Sequence, residues 1–354
     1  MTDEHPGEAT GASTTGSARS GQLPAFDGER CVHGLLASAT CRACVEACPR
    51  NAIMLTDSAL GLDAEACDGC GLCRPACPED AISLEGVRLE PLVDRSAGVA
   101  LWGCRQDGLI DGPGAVPCLH ALGDRDLAAL DALGVDVVLT SCAGCSSCPQ
   151  DRFWSFEGAL ARWSAMRASR LEPQPQHERL SLSAWRRAQL SMRRQADDID
   201  QGRRALFRSI LAATSAELPA RGQQAHLPEG AVHRFVPSLD EGACVGCDAC
   251  SRVCPHGAIR LEGCAPTQWY ALSAERCTGC GLCRDVCEFG AVMIAQMQPQ
   301  AQKRMLLIDS KCDKCGAPFH LPRSHGAESH EQIATVCRIC AVAHKPGCLF
   351  QVQR

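Results

Sequence analysis

The chain has 354 residues, enough for two or three domains, and its net charge of -6 gives no support for nucleic-acid binding. It contains 27 cysteines, an odd number, and most stand in Cys-x-x-Cys pairs, which disfavours a disulfide-rich secreted protein and favours metal binding in a reducing cytoplasm. No run approaches the roughly 18 apolar residues that a membrane helix needs, so any membrane contact is expected to go through a partner.

The first elements along the chain belong to an internal repeat. Residues 1–28, rich in Gly, Ser and Thr, are predicted to form a disordered tail without a signal-peptide pattern. After this tail, a Cys-x-x-Cys-x-x-x-Cys run followed by a short apolar strand occurs four times, and the runs end at Cys48, Cys77, Cys254 and Cys287. The copies form two pairs, which predict two related domains at residues 29–92 and 238–298.

The spacing of the cysteines suits [4Fe–4S] clusters. Each cluster takes three thiolates from one tight loop and its fourth from the partner half of the repeat. This rule predicts four ligand sets: Cys67, Cys70, Cys73 and Cys48; Cys31, Cys41, Cys44 and Cys77; Cys277, Cys280, Cys283 and Cys254; and Cys244, Cys247, Cys250 and Cys287. Nine residues separate Cys31 from Cys41, where the other sets have two, so His33, solvent or a [3Fe–4S] core are the alternatives to Cys31.

At these sixteen cysteines both domains resemble bacterial-type two-cluster ferredoxins. The resemblance implies two ferredoxin-like folds that each hold two [4Fe–4S] clusters. Zinc is the alternative metal for Cys-x-x-Cys pairs alone, but zinc sites do not need the third cysteine or the Cys-Pro tail. Glu288 stands where the other three copies have proline, and we expect this change to alter solvent access more than ligation.

A different pattern occupies residues 96–150. Gly98–Gly103 and Val135–Thr140 are predicted strands, and Asp124–Leu133 is a predicted helix. Three cysteines, Cys104, Cys118 and Cys142, follow predicted strands, and ligands collect at the carboxyl ends of strands in a parallel sheet. The layout is similar to the iron–sulfur delta subunit of methyl-viologen-reducing hydrogenases, which implies a small α/β domain with a [2Fe–2S] cluster. Either Cys145 or Cys148 is then the fourth ligand, and buried inert thiols are the alternative reading.

The remaining segments differ again in composition. Residues 151–222 lack cysteine, are rich in Arg and Ala, and predict two or three helices, for which a solvated linker is favoured over a docking arm for a partner. Residues 305–350 are predicted to form a zinc-ribbon-like domain with the ligands Cys312, Cys315, Cys337 and Cys340. Structural zinc is expected there, and a rubredoxin-like iron or another electron-carrying centre is the alternative. Cys264 and Cys348 are predicted to be structural thiols.

Together these elements predict an α+β multidomain chain: two ferredoxin-like two-cluster domains, a small α/β domain with a parallel sheet, a helical segment and a zinc-ribbon-like knuckle pair. There is no GxGxxG fingerprint, so the chain is not expected to bind flavin or NAD by itself. A serial array of clusters, with the middle centre between the two modules, predicts a non-catalytic polyferredoxin of a cytoplasmic oxidoreductase complex. The resemblance of the middle domain suggests a hydrogenase, formate dehydrogenase or heterodisulfide-reductase-like partner. An iron–sulfur redox sensor and a metalloenzyme maturation factor are the alternatives.

Overall fold

The computed structural model describes residues 23–56, 60–105, 110–141, 155–194, 227–323 and 336–343. These residues fold into a first ferredoxin-like module, a central α/β domain and a second ferredoxin-like module. Within the described ranges, no helix is long and apolar enough to span a lipid bilayer.

The first module consists of two small antiparallel sheets and three short helices. β1 (Pro24–Phe26) pairs with β4 (Ile82–Leu84), β2 (Ile53–Leu55) pairs with β3 (Leu60–Leu62), and the helices are α1 (Val32–Leu35), α2 (Ala43–Glu46) and α3 (Cys73–Ala76). Ile53 and Ile82 are buried beside cysteines, and Phe26 packs against them. The predicted tail at residues 1–28 therefore extends too far, because β1 gains a partner strand and Phe26 gains core contacts.

The central domain is built on one mostly parallel sheet. Its strands are β5 (Leu92–Asp94), β6 (Val99–Cys104), β7 (Ala115–Val116), β8 (Val137–Ser141) and β9 (Gln176–Arg179). β6 pairs in parallel with β7 and β8, β8 pairs in parallel with β9, and β5 is antiparallel to β6. Helix α4 (Asp124–Leu133) covers the residues predicted for it; Asp126 accepts the Gly123 N–H at 2.7 Å, and the helix ends at Gly134 in the left-handed conformation.

Two further helices cover the faces of this sheet. α5 (Phe156–Ser169) and α6 (residues 182–194) follow one another, with β9 between them. Alternate residues of β6 point to opposite faces: Trp102 packs with Trp163 of α5, and Leu101 packs with Trp185 of α6. A parallel sheet needs apolar cover on both faces. The prediction of a solvated linker at residues 151–222 is therefore wrong for its described part, which completes the central domain.

The second module repeats the plan of the first and adds two strands. β10 (Val232–Leu239) pairs with β13 (Val292–Pro299), β11 (Ile259–Cys264) pairs with β12 (Thr267–Leu272), and the short helices are α7 (Ala249–Val253) and α8 (Leu282–Asp285). β14 (Arg304–Lys311) joins β12, and β15 (Pro318–Pro322) joins β14. Met305 and Leu307 of β14 are buried against Tyr270, so the cysteine pairs near the C-terminus extend this module instead of starting a separate domain at residue 305. α9 (Arg338–Ala343) follows Cys337.

All three parts meet at the start of α4. Arg74 of the first module pairs with Asp126 at 2.8 Å, and Asp80 pairs with Arg125 at 2.8 Å. Asp124, whose side chain is 3% exposed, pairs with Arg234 of β10 at 2.7 Å. These ion pairs join the central domain to both ferredoxin modules.

Candidate iron–sulfur and metal centres

Each ferredoxin module contains two cavities of similar size, and four cysteines line each cavity. Site I is lined by Cys48, Cys67, Cys70 and Cys73; site II by Cys31, Cys41, Cys44 and Cys77; site III by Cys254, Cys277, Cys280 and Cys283; and site IV by Cys244, Cys247, Cys250 and Cys287. The empty volumes, which include space open to solvent, are about 320, 360, 330 and 330 Å³ in the same order. The fold thus brings together the four sets that the spacing rule predicts, with Cys31 in the wall of site II.

The same backbone hydrogen bond precedes the first cysteine of the loop at every site. The residue four positions before that cysteine donates its N–H to the carbonyl of an alanine, at 2.8 Å each time; the alanine lies four residues after the cysteine that the partner half-motif contributes to the site. The four bonds run from Asp27 to Ala81, Asp63 to Ala52, Ser273 to Ala258 and Asp240 to Ala291. Asp27 therefore places Cys31 as Asp63 places Cys67. The Asp-x-x-x-Cys pattern at Cys31, Cys67 and Cys244 is a sequence signal that spacing alone overlooked.

The segment of nine residues between Cys31 and Cys41 is anchored to site II by His33. Its Nε2–H donates to the Cys41 carbonyl at 2.8 Å, and the His33 side chain lines the same cavity as Cys31. This hydrogen bond engages one ring nitrogen with the backbone, and the Cys31 thiol stands in the cavity wall. The geometry favours Cys31 over His33 as the fourth ligand.

Backbone amides point at the sulfur atoms. Those of Ala52, Ala81 and Ala258 donate, at 3.2 to 3.3 Å, to the sulfur of the cysteine four residues earlier, which is Cys48, Cys77 and Cys254 respectively. Gly246, two residues after Cys244, has a φ of +65°, and its N–H donates a hydrogen bond to the Cys244 sulfur. A Cβ at Gly246 would lie 2.1 Å from a backbone oxygen of β15, so only glycine fits. Amide hydrogen bonds of this kind tune the potential of a bound cluster.

The thiols in these cavities are costly to ionise without a cation. Burial raises the pKa of the third cysteine of each loop to about 12, and the neighbouring thiols of the same site add to the shift; these residues are Cys73, Cys44, Cys283 and Cys250. A positively charged metal core offsets that cost, because thiolate is the form that binds iron. The four thiol donors, their burial and the amide N–H groups directed at their sulfur atoms all fit an iron–sulfur cluster.

The central domain brings two of its predicted ligands to one end of the sheet. Cys104 ends β6 opposite Val116 of β7, and Cys118 follows β7; both thiols are buried. Cys142, Cys145 and Cys148 lie outside the described residues, although β8 ends at Ser141, in register with Gly103. Cys118 packs against Cys70 and Leu72 of site I. Cys118 of the central domain therefore lies beside site I of the first module, whereas the order of the sequence suggested a centre between the two modules.

The four C-terminal cysteines form a compact group. The Sγ atoms of Cys312, Cys315, Cys337 and Cys340 lie within 4.8 Å of one another, and those of Cys315 and Cys337 are 3.7 Å apart. Tetrahedral coordination with metal–sulfur bonds of about 2.3 Å places sulfurs about 3.8 Å apart. The Cys337 N–H donates to Cys312 Sγ at 3.3 Å, and backbone amides, that of Cys337 first, lower the pKa of Cys312. The group can hold one tetrahedral metal ion.

A partly buried polar network behind site IV was not predicted. Asp248, which lies between Cys247 and Cys250, accepts hydrogen bonds from Tyr270 Oη at 2.6 Å and from His320 Nε2 at 2.9 Å. His320 belongs to β15, so the network ties the strand that follows Cys315 to the loop of site IV. The sequence gives one hint of this network, which is that Tyr270 is the single tyrosine of the chain.

Comparison with known families bears on both modules. Residues 39–81 and 243–291 each match the family model of the 4Fe-4S dicluster domain. The first match begins after Cys31, and the second contains all eight cysteines of sites III and IV. No curated protein matches the chain. The chain therefore contains two ferredoxin-type [4Fe–4S] dicluster domains, and such domains indicate an iron–sulfur electron-transfer function.

Proposed function

We propose that this protein is a polyferredoxin, with one [4Fe–4S] cluster at each of sites I to IV. The observation that carries the proposal is that each cavity is lined by three cysteines of one loop and one cysteine of the partner half-motif. Bound clusters supply one-electron redox chemistry. The residues of the chain hold the clusters, shield them from solvent and direct amide N–H groups at their sulfur ligands. Cys31 is the fourth ligand of site II in this proposal.

The two other cysteine groups complete the proposal. A [2Fe–2S] cluster at the edge of the central sheet uses Cys104, Cys118, Cys142 and either Cys148 or Cys145. The packing of Cys118 against Cys70 supports an electron-carrying role, since a cluster bound by Cys118 would lie beside site I. Cys312, Cys315, Cys337 and Cys340 hold a structural zinc ion, which the spacing of their sulfur atoms accommodates.

The role that fits such an array is a relay subunit of a cytoplasmic oxidoreductase complex. All cysteines in the described ranges are free thiols, which suits metal ligation in a reducing compartment. The partner is of the hydrogenase, formate dehydrogenase or heterodisulfide-reductase type, as the delta-subunit-like pattern of the central domain suggests. In this role the chain accepts electrons from one protein and passes them to another without an organic substrate of its own.

Metal analysis combined with an EPR redox titration tests the proposal on anaerobically prepared full-length protein. We expect about eighteen irons, a matching amount of sulfide and about one zinc per chain. About sixteen irons would remove the [2Fe–2S] cluster from the proposal and keep the ferredoxin modules. A protein without reducible clusters would refute the electron-transfer role.

A further inference from the structure

The two ferredoxin modules contact each other through a carboxylate beside site II. Glu79, two residues after Cys77, is 6% exposed. It accepts a hydrogen bond from Thr278 Oγ1 at 2.5 Å and lies 2.7 Å from His256 Nε2. Thr278 follows Cys277, and His256 is two residues after Cys254. Both partners of Glu79 therefore flank cysteines of site III.

A second contact joins the same two sites. Thr40, which precedes Cys41 of site II, donates its backbone N–H to Asp285 Oδ2 at 2.8 Å and its hydroxyl to Asp285 Oδ1 at 2.9 Å. Asp285 lies on α8, two residues after Cys283 of site III, and its side chain is 5% exposed. Two independent hydrogen-bonded contacts thus connect the cysteine loops of sites II and III.

Burial makes these contacts part of the fold. A buried carboxylate needs hydrogen-bond donors, and the donors to Glu79 come from the opposite module. The charges act across the junction as well. Burial raises the pKa of Cys277 and Cys280, and the charge of Glu79 adds to both shifts. Burial also raises the pKa of Cys41, and the charge of Asp285 adds to that shift.

The other two sites have different neighbours. Site I adjoins the central domain through Cys70 and Cys118, and site IV adjoins β15 through Asp248 and His320. Within the first module, Cys73 of site I and Cys77 of site II lie at the two ends of one helical turn, so these sites are neighbours. The spatial order is therefore I, II, III, IV, although the central domain separates the two modules in sequence.

We propose that sites II and III form the internal electron junction of this protein, with Glu79 as the positioning residue that holds the two cysteine loops together. This inference rests on the proposed occupancy of the sites by clusters. In the step, one electron leaves a reduced centre at one site and enters an oxidised centre at the other. No bond forms or breaks, no proton moves, and no further reactant is needed.

The test compares the anaerobic full-length protein with Glu79→Ala, Glu79→Gln and Asp285→Ala variants. Two readouts are used: the magnetic interaction between reduced clusters in EPR spectra, and the rate of intramolecular electron transfer after pulsed reduction. We expect Glu79→Ala to lose the inter-module part of the interaction and to slow the transfer. Glu79→Gln keeps an oxygen that accepts from Thr278 and should retain most of both signals. Glu85→Ala removes an exposed carboxylate of the same module and is the matched control.

The outcomes separate this inference from the proposed function. A Glu79→Ala protein with unchanged iron content, spectrum and transfer rate would overturn the junction while leaving the clusters in place. A wild-type protein without reducible clusters would instead refute the polyferredoxin role. If Glu79→Ala fails to retain iron, the same comparison is made with Asp285→Ala, which removes the second contact; wild-type coupling in that variant would count against the junction.

Discussion

The carboxylate of Asp124 is expected to hold the second ferredoxin module against the central domain. It lies in the first turn of α4, its side chain is 3% exposed, and it binds Arg162 of α5 at 2.9 Å and Arg234 of β10 at 2.7 Å. Burial lowers the pKa of Arg234, and the charge of Asp124 opposes that shift. One carboxylate therefore serves two guanidinium groups from two different parts of the fold.

Substitution of Asp124 by alanine should destabilise the protein strongly. Removing one member of a buried ion pair costs about 3–5 kcal/mol, because the remaining charge stays in the interior. The side chains of Arg162 and Arg234 are 28% and 22% exposed, so water screens part of the loss. We therefore expect the low end, about 3 kcal/mol, or roughly a hundredfold change in the folding equilibrium.

Glu157→Ala is the matched control for Asp124→Ala. Glu157 also stands in the first turn of a helix and also pairs with an arginine, Arg179, at 2.6 Å, but the two side chains are 45% and 38% exposed. A surface pair of this kind contributes at most about 1 kcal/mol. Urea unfolding followed by the fluorescence of the buried tryptophans of the central domain measures both variants. Equal losses of unfolding free energy in the two variants would refute the role assigned to the buried junction.

Three further predictions concern the cysteine sites. Cys31→Ser should lower the iron content of the reconstituted protein by about one to four atoms per chain. Cys264→Ser changes an exposed thiol that lines none of sites I to IV and should leave the iron content unchanged. Equal iron content in the two variants would remove Cys31 from site II. Gly246→Ala should lower the free energy of unfolding more than Gly290→Ala does. Both glycines have positive φ, but of these two only Gly246 has a backbone oxygen, 2.1 Å away, where a Cβ would lie. Gly290→Ala should cost about 1 kcal/mol, from the positive φ alone. The apo protein should lose stability as pH rises from about 9 towards 12, because the folded state raises the pKa of the third thiol of each loop and therefore binds its proton more tightly than the unfolded chain. The cluster-loaded protein, whose thiolates are already bound to iron, should show no such fall, and identical pH profiles of unfolding would contradict this account.

The sequence by itself determined the repeat and the membership of the cysteine sets. Ligand spacing within a loop is a local property, so the runs ending at Cys48, Cys77, Cys254 and Cys287 were enough to predict four sites. The same holds for α4 and for the strands β6 and β8, whose apolar patterns are short and clear. Cys31 was the difficult residue, since its loop is longer. The spacing of the cysteines left it open, and the backbone turn at Asp27 places it in the wall of site II as the turn at Asp63 places Cys67 in site I.

Only the tertiary structure decided how these parts are arranged. β9 extends the central sheet, and helices α5 and α6 cover its two faces, because the apolar residues of β6 are buried on both sides. The Arg-rich composition of the segment gives no sign of this role. The contact of Glu79 with His256 spans 177 positions of the chain, and that of Thr40 with Asp285 spans 245. Periodicity and spacing carry no information over such separations. The long-range burial of charged groups therefore places sites II and III together, whereas the linear order of the motifs would have placed the central domain between them.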